Sequence, residues 1–117
     1  MNKIWYLGNC DTCKKIINEL NISLDNFEMI NIKERNISKE ELEEISKVTG
    51  LNYEELFSKR ALKYKLIKDS LVSDDDFKKA ILEEYTFLKR PFIRINSKYF
   101  IGNSKKVVED ARVELRN

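Results

Sequence analysis

The opening stretch of the chain restricts the fold more than any later part. Ile4-Trp5-Tyr6-Leu7 is a short apolar run that reads as a strand, and Gly8-Asn9 ends it as a turn. From Asp11 to about Leu20 the pattern changes period. Cys13, Ile16, Ile17 and Leu20 fall at i, i+3, i+4 and i+7, the spacing of one apolar helix face. Phe27-Glu28-Met29-Ile30-Asn31-Ile32 then alternates as a second strand. Strand, helix and strand in so short a span make a βαβ unit, so the two strands are expected to be parallel.

The middle of the chain carries helix punctuation. Ser38-Lys39-Glu40-Glu41 is a capping box, followed by Leu42, Ile45 and Val48, with Gly50 as the stop. Asn52 to Glu55 offers a second start signal leading into Leu56 and Phe57. Ser73 with Asp74, Asp75 and Asp76 opens another helix, whose buried residues are expected to include Phe77, Ile81 and Tyr85. After this block, Lys89-Arg90-Pro91-Phe92-Ile93-Arg94-Ile95 places the only proline at the head of a strand, where a missing N–H is tolerated. Asn96-Ser97 reads as a turn into Tyr99-Phe100-Ile101, giving a hairpin. Gly102-Asn103-Ser104 then opens a last helix with Val107, Val108, Ala111 and Leu115 inward. The expected fold is α/β: a four-stranded mixed sheet in the order βαβ, then ββα, with an all-helical insertion at about 37–88 between strands two and three. One domain spans residues 1–117.

Composition excludes several functions. With 117 residues, the chain is long enough to bury a core without disulfides or metal. A net charge of +2 is too balanced to point to nucleic acid or a membrane surface. No apolar run approaches membrane-spanning length, and the N-terminus resembles no signal peptide, so a cytoplasmic location is expected. There are no histidines, which removes His-dependent base catalysis, Cys–His pairs and imidazole metal ligands. A zinc site needs four good ligands and one CxxC supplies two, so no metal and no bound cofactor are expected.

The chemistry is concentrated in Cys10-Asp11-Thr12-Cys13, at the junction of the first strand and the first helix. Unpaired N–H groups and the positive end of the helix dipole favour a thiolate there. Cys10, at or just before the first turn, suits a nucleophile. Cys13 lies on the buried face, three residues on, which suits a shielded resolving thiol; by itself it would equally serve as a small core residue. Lys14 and Lys15 add positive charge that favours the thiolate and an anionic substrate. A CxxC beside a βαβ pattern is a thioredoxin-like redox signal. For Arg90-Pro91 both a plain edge proline and a cis-proline stay open.

With Cys10-Asp11-Thr12-Cys13-Lys14 near the start, Phe57-Ser58-Lys59-Arg60-Ala61-Leu62-Lys63-Tyr64 in the middle and Lys89-Arg90-Pro91-Phe92-Ile93 after the helical block, the chain resembles the glutaredoxin-linked arsenate reductase family, whose superfamily also holds the Spx-type redox regulators. The resemblance covers essentially the whole chain. It implies a thioredoxin-like fold, with Pro91 as a cis-proline facing the cysteine loop. It also implies Cys10 as nucleophile, and Lys14, Arg60 and Arg90 at a site for a small oxyanion or thiol substrate. Cys13 stands where the reductases carry a serine. The external reductant implied is glutathione with glutaredoxin, or thioredoxin, so a redox partner protein is expected. The Spx-type regulators carry a CxxC followed by a basic residue and bind the RNA polymerase α subunit, which is the alternative partner the resemblance implies.

Overall fold

A computed structural model describes residues 1–117, which form two compact units. In chain order the elements are β1 (Asn2–Tyr6), α1 (Asp11–Glu19), β2 (Phe27–Asn31), α2 (Lys39–Thr49), α3 (Tyr53–Leu56), α4 (Tyr64–Ile67), α5 (Asp74–Glu83), β3 (Phe92–Ile95), β4 (Lys98–Ile101) and α6 (Lys105–Leu115). One unit takes residues 1–35 and 90–117; the other takes residues 36–89, close to the insertion expected at about 37–88.

The first unit is a mixed sheet in the order β2-β1-β3-β4. β1 and β2 are parallel, with Asn2 opposite Phe27 and Tyr6 opposite Asn31. β3 runs antiparallel to both β1 and β4. This is the thioredoxin-like topology the βαβ and ββα halves foretell. Ile4, Phe27, Ile93 and Ile95 from the sheet meet Ile16 and Leu20 of α1 and Val108 and Ala111 of α6 in one buried cluster. Each such side chain contributes about 1.5–3 kcal/mol by leaving water. The β3–β4 hairpin turns on Asn96 and Ser97, both with positive φ (50° and 70°), the mirror-image turn whose twist matches the flanking strands. Glu114 in the last turn of α6 is buried, which the apolar pattern gives no sign of. Its carboxylate accepts from Asn96 Nδ2 and Lys98 Nζ, each at 3.0 Å, and so ties the hairpin turn to α6. Those donors hold its pKa below the usual carboxylate range, Asn96 foremost.

The second unit is helical and heavily capped. Ser38 with Glu41, Asn52 with Glu55, and Ser73 with Asp76 each form a reciprocal capping box. The Asp74 carboxylate also accepts the N–H groups of Tyr53 and Glu54, both at 3.0 Å, so α5 supplies a second cap to α3. Phe57 is buried at the centre. It stacks on Phe87 (centroids 4.9 Å apart) and meets Phe77 and Tyr64 edge-on at 5.1 and 5.7 Å.

Two details of the helices follow from local geometry, and the second corrects an expectation. Val48 is 51% exposed, while Leu42 and Ile45 are fully buried. Each step of three residues falls about 60° short of a full helical turn, so by Val48 the stripe has rotated out of the interior. Tyr85 does not continue α5. Glu84 is extended (φ −141°, ψ 110°) and its carboxylate accepts from the Thr86 N–H and hydroxyl, which opens a 3₁₀ turn over Tyr85–Phe87. That break buries Phe87 in place of Tyr85.

Ile4→Ala is expected to lower the unfolding free energy by about 2–5 kcal/mol, because Ile4 is fully buried in the sheet core. Leu62→Ala, at a side chain 92% exposed, should change it by less than about 0.5 kcal/mol. Urea denaturation of both variants checks the contrast.

Candidate active site

The cysteine loop begins where β1 ends. After Tyr6 the chain turns through Leu7, Gly8 and Asn9, and the Cys10 N–H closes the turn on the Leu7 carbonyl at 3.1 Å. Cys10 is the N-cap of α1, with extended backbone (φ −100°, ψ 117°), and its carbonyl accepts the Lys14 N–H at 3.0 Å. The sulfur therefore sits where a helix normally recruits a serine or aspartate oxygen. Cys10 is partly exposed and Cys13 is 0% exposed; both are free thiols.

The two sulfurs differ in their ease of ionisation. For Cys10, partial burial works against the thiolate, but hydrogen bonding outweighs it. The uncharged thiol makes no capping bond. As a thiolate its sulfur is met by the N–H and thiol of Cys13, the N–H of Thr12 and the guanidinium of Arg90, and its pKa lies below that of an ordinary thiol. For Cys13 burial dominates. Together with the adjacent Cys10 charge it pushes this thiol up to about 11, despite a hydrogen bond from the Leu7 backbone and the field of Arg90. Cys10 therefore ionises more readily than an ordinary thiol, while its neighbour Cys13 holds its proton to higher pH.

The other sequence-predicted residues separate into groups. Arg90 reaches Cys10, as its effect on that sulfur requires. The Arg90–Pro91 bond is cis, Pro91 is buried, and its carbonyl accepts the Gly102 N–H at 2.9 Å. Lys14 and Lys15 are exposed on α1, and neither figures among the groups that act on Cys10. Their expected help to the thiolate is supplied by Arg90, whose charge is fixed close by, while the lysines extend into solvent. Arg60 stands exposed in a turn of the helical unit. Asn31 reads in the sequence only as a strand residue, yet its side chain accepts the Gly8 N–H at 3.3 Å. No group of three or more Cys, Asp or Glu side chains is arranged to hold a metal ion, and no helix is long and apolar enough to cross a membrane.

A thioredoxin-like sheet with a CxxC at the head of its first helix defines a class of thiol-bearing proteins. Within it, a model of the ArsC family matches residues 5–111, and the chain belongs to that family. Solved structures of similar fold include an ArsC family related protein from Bacteroides fragilis, 22% identical, with a TM-score of 0.74 over 93% of this chain and 97% of that one. A Staphylococcus aureus protein known in solution is 26% identical, with a TM-score of 0.72 over 94% and 97%. An arsenate reductase from Vibrio cholerae is 23% identical, with a TM-score of 0.73 over 93% and 92%. No curated protein sequence matches.

Alkylation of Cys10 by iodoacetamide should follow a titration whose midpoint lies below that of a free thiol, about 8.5. The rate rises with pH through that midpoint and levels off above it, because only the thiolate reacts. Arg90→Leu removes a donor to the anion and should move the midpoint upward by up to about one pH unit. A midpoint in Arg90→Leu at or below the original would show that Arg90 does not act on this sulfur.

Proposed function

We propose that this ArsC-family protein is a thiol–disulfide oxidoreductase in which Cys10 attacks and Cys13 resolves. The observation that supports the reading is the N-cap position of Cys10 at the head of α1, one turn before the buried Cys13, with the Cys10 pKa lowered and the Cys13 pKa raised. With a disulfide substrate, the Cys10 thiolate attacks one sulfur, forms a mixed disulfide and expels the other as a thiolate that takes up a proton. Cys13 then loses its proton and attacks the Cys10 sulfur. The Cys10–Cys13 disulfide forms and the reduced substrate leaves. An external dithiol or glutathione system, glutaredoxin or thioredoxin, returns two electrons to the pair.

The first step prepares the second. Two of the causes that hold Cys13 protonated are the charge of Cys10 and the hydrogen bond to it. Both vanish once Cys10 is covalently bound to substrate, so Cys13 ionises more easily only when a resolving thiolate is needed. Arsenate is the oxyanion substrate that family membership suggests. Attack of Cys10 on arsenic(V) expels hydroxide, which leaves as water. Attack of a second thiol on the Cys10 sulfur then sends the electron pair of the S–As bond to arsenic, releasing arsenite. The helix N-terminus and Arg90 suit the negative charge of that substrate. Such chemistry belongs in the cytoplasm, where thiols are kept reduced.

Mild oxidation should remove the mass of two hydrogens from the chain, and Cys13→Ser should abolish that loss while trapping mixed disulfides on Cys10. Native thiols that resist both alkylation and oxidation would sink the redox reading. NADPH-coupled turnover of arsenate with glutathione and glutaredoxin, or with thioredoxin, tests the oxyanion. Should the pair oxidise without turnover, oxidation-dependent binding to the RNA polymerase α subunit would favour the Spx-type regulator reading.

A further inference from the structure

The cysteine loop is anchored from the neighbouring strand as well as by α1. β1 ends at Tyr6 and β2 at Asn31, and these residues are partners in the parallel pair. The Ile32 N–H donates to the Tyr6 carbonyl at 2.8 Å, so the chain leaves both strands at the same edge of the sheet. From that edge the Asn31 side chain reaches the loop. Its Oδ1 accepts the Gly8 N–H at 3.3 Å and the Lys33 N–H at 3.2 Å, while its Nδ2 donates to Glu34 Oε1 at 3.3 Å. The Asn31 carbonyl accepts the N–H groups of Glu34 and Arg35, each at 3.0 Å. Backbone and amide are thus fixed by the chain that follows β2, independently of the loop.

The identity of residue 8 reflects the same contact. Gly50 and Gly102 have left-handed backbones, but Gly8 does not, so its conformation alone makes no demand for glycine. Space does. A Cβ on residue 8 would lie 2.5 Å from Asn31 Nδ2, closer than atoms pack, and a tight 3.3 Å from its Cγ. Gly8 lies inside the turn that the Cys10 N–H closes on Leu7, two residues from the sulfur-bearing position. Any displacement of Gly8 by a side chain is passed directly to Cys10.

We propose that Asn31 is a positioning residue for the Cys10 nucleophile: its amide holds the 7–10 turn in the arrangement that sets Cys10 at the N-cap of α1, and Gly8 is glycine because a side chain there would strike that amide. The inference rests on the reading of Cys10 as the attacking thiolate. Asn31 touches neither sulfur nor substrate on this account and acts only through the loop.

The test is the pH profile of Cys10 alkylation in the full chain carrying Cys13→Ser, so that one thiol reports. Asn31→Ala should raise the midpoint by about half to one pH unit, slowing alkylation well below the midpoint about three- to tenfold, with the limiting rate at high pH unchanged. Gly8→Ala should shift it the same way through the collision. The double variant Gly8→Ala/Asn31→Ala should match Asn31→Ala alone, since the new methyl then meets no amide. Gly8→Ala, a one-carbon change in a surface turn, keeps the test available if Asn31→Ala does not fold. A folded Asn31→Ala or Gly8→Ala whose profile superimposes on the parent, or single effects that simply add in the double variant, would overturn the positioning role. A parent midpoint at the free-thiol value is a different result: it removes the nucleophile reading itself, and the proposal with it.

Discussion

The parallel pairing of β1 with β2 is the interaction on which the site depends. Parallel strands cannot be joined by a tight turn, so the link from β1 to β2 is a helix, and that helix starts at the edge where β1 ends. A helix N-terminus, with its unpaired N–H groups, is thereby delivered to the C-terminal edge of the strands, where open α/β sheets place their ligands. The antiparallel addition of β3 completes the geometry. Trp5 pairs with Phe92, so the start of β3 lies beside the end of β1, and Arg90 and Pro91 arrive at the same edge. The bond from Gly102 to the Pro91 carbonyl brings the end of β4 there too. Four segments distant in sequence meet because of strand direction alone.

Within that frame a three-residue spacing makes two chemically distinct thiols. Cys10 lies just outside α1 and Cys13 one turn inside, on the face that carries Ile16 into the core. The cap position gives one sulfur N–H donors. The core position takes water away from the other. Neither effect needs an ionisable base, so a chain without histidine can still lower the pKa of one thiol.

The parts legible in the sequence were those decided by near neighbours. Capping boxes at Ser38, Asn52 and Ser73 join residues three apart, and the Asn96-Ser97 turn is a property of two adjacent positions. The helical phase that separates Cys10 from Cys13 is equally local. What sequence could not show lies in contacts across the fold. Asn31 meets Gly8 from 23 positions away, and Glu114 meets Asn96 from 18. A polar residue in a strand or on an apolar helix face carries no mark of such a partner. The lysines next to Cys13 were attractive because they were near in the chain, yet the cation that acts on Cys10 stands 80 positions on, at Arg90.

Arg90 differs from those lysines in what it does to the pair as a whole. Its guanidinium favours the thiolate of Cys10 through a hydrogen bond and that of Cys13 through its charge. A cation that served the first sulfur alone would leave the second with only the Leu7 backbone hydrogen bond to offset desolvation, its largest obstacle to ionising. In the proposed reaction Arg90 would have an anion to stabilise at each stage: Cys10 before attack, then Cys13 once Cys10 is bonded to substrate. Guanidinium stays charged at any pH the protein meets. On the proposed mechanism, nucleophile and resolving thiol would draw in turn on one positive centre, so the order of the two steps would follow from which sulfur is free to share it.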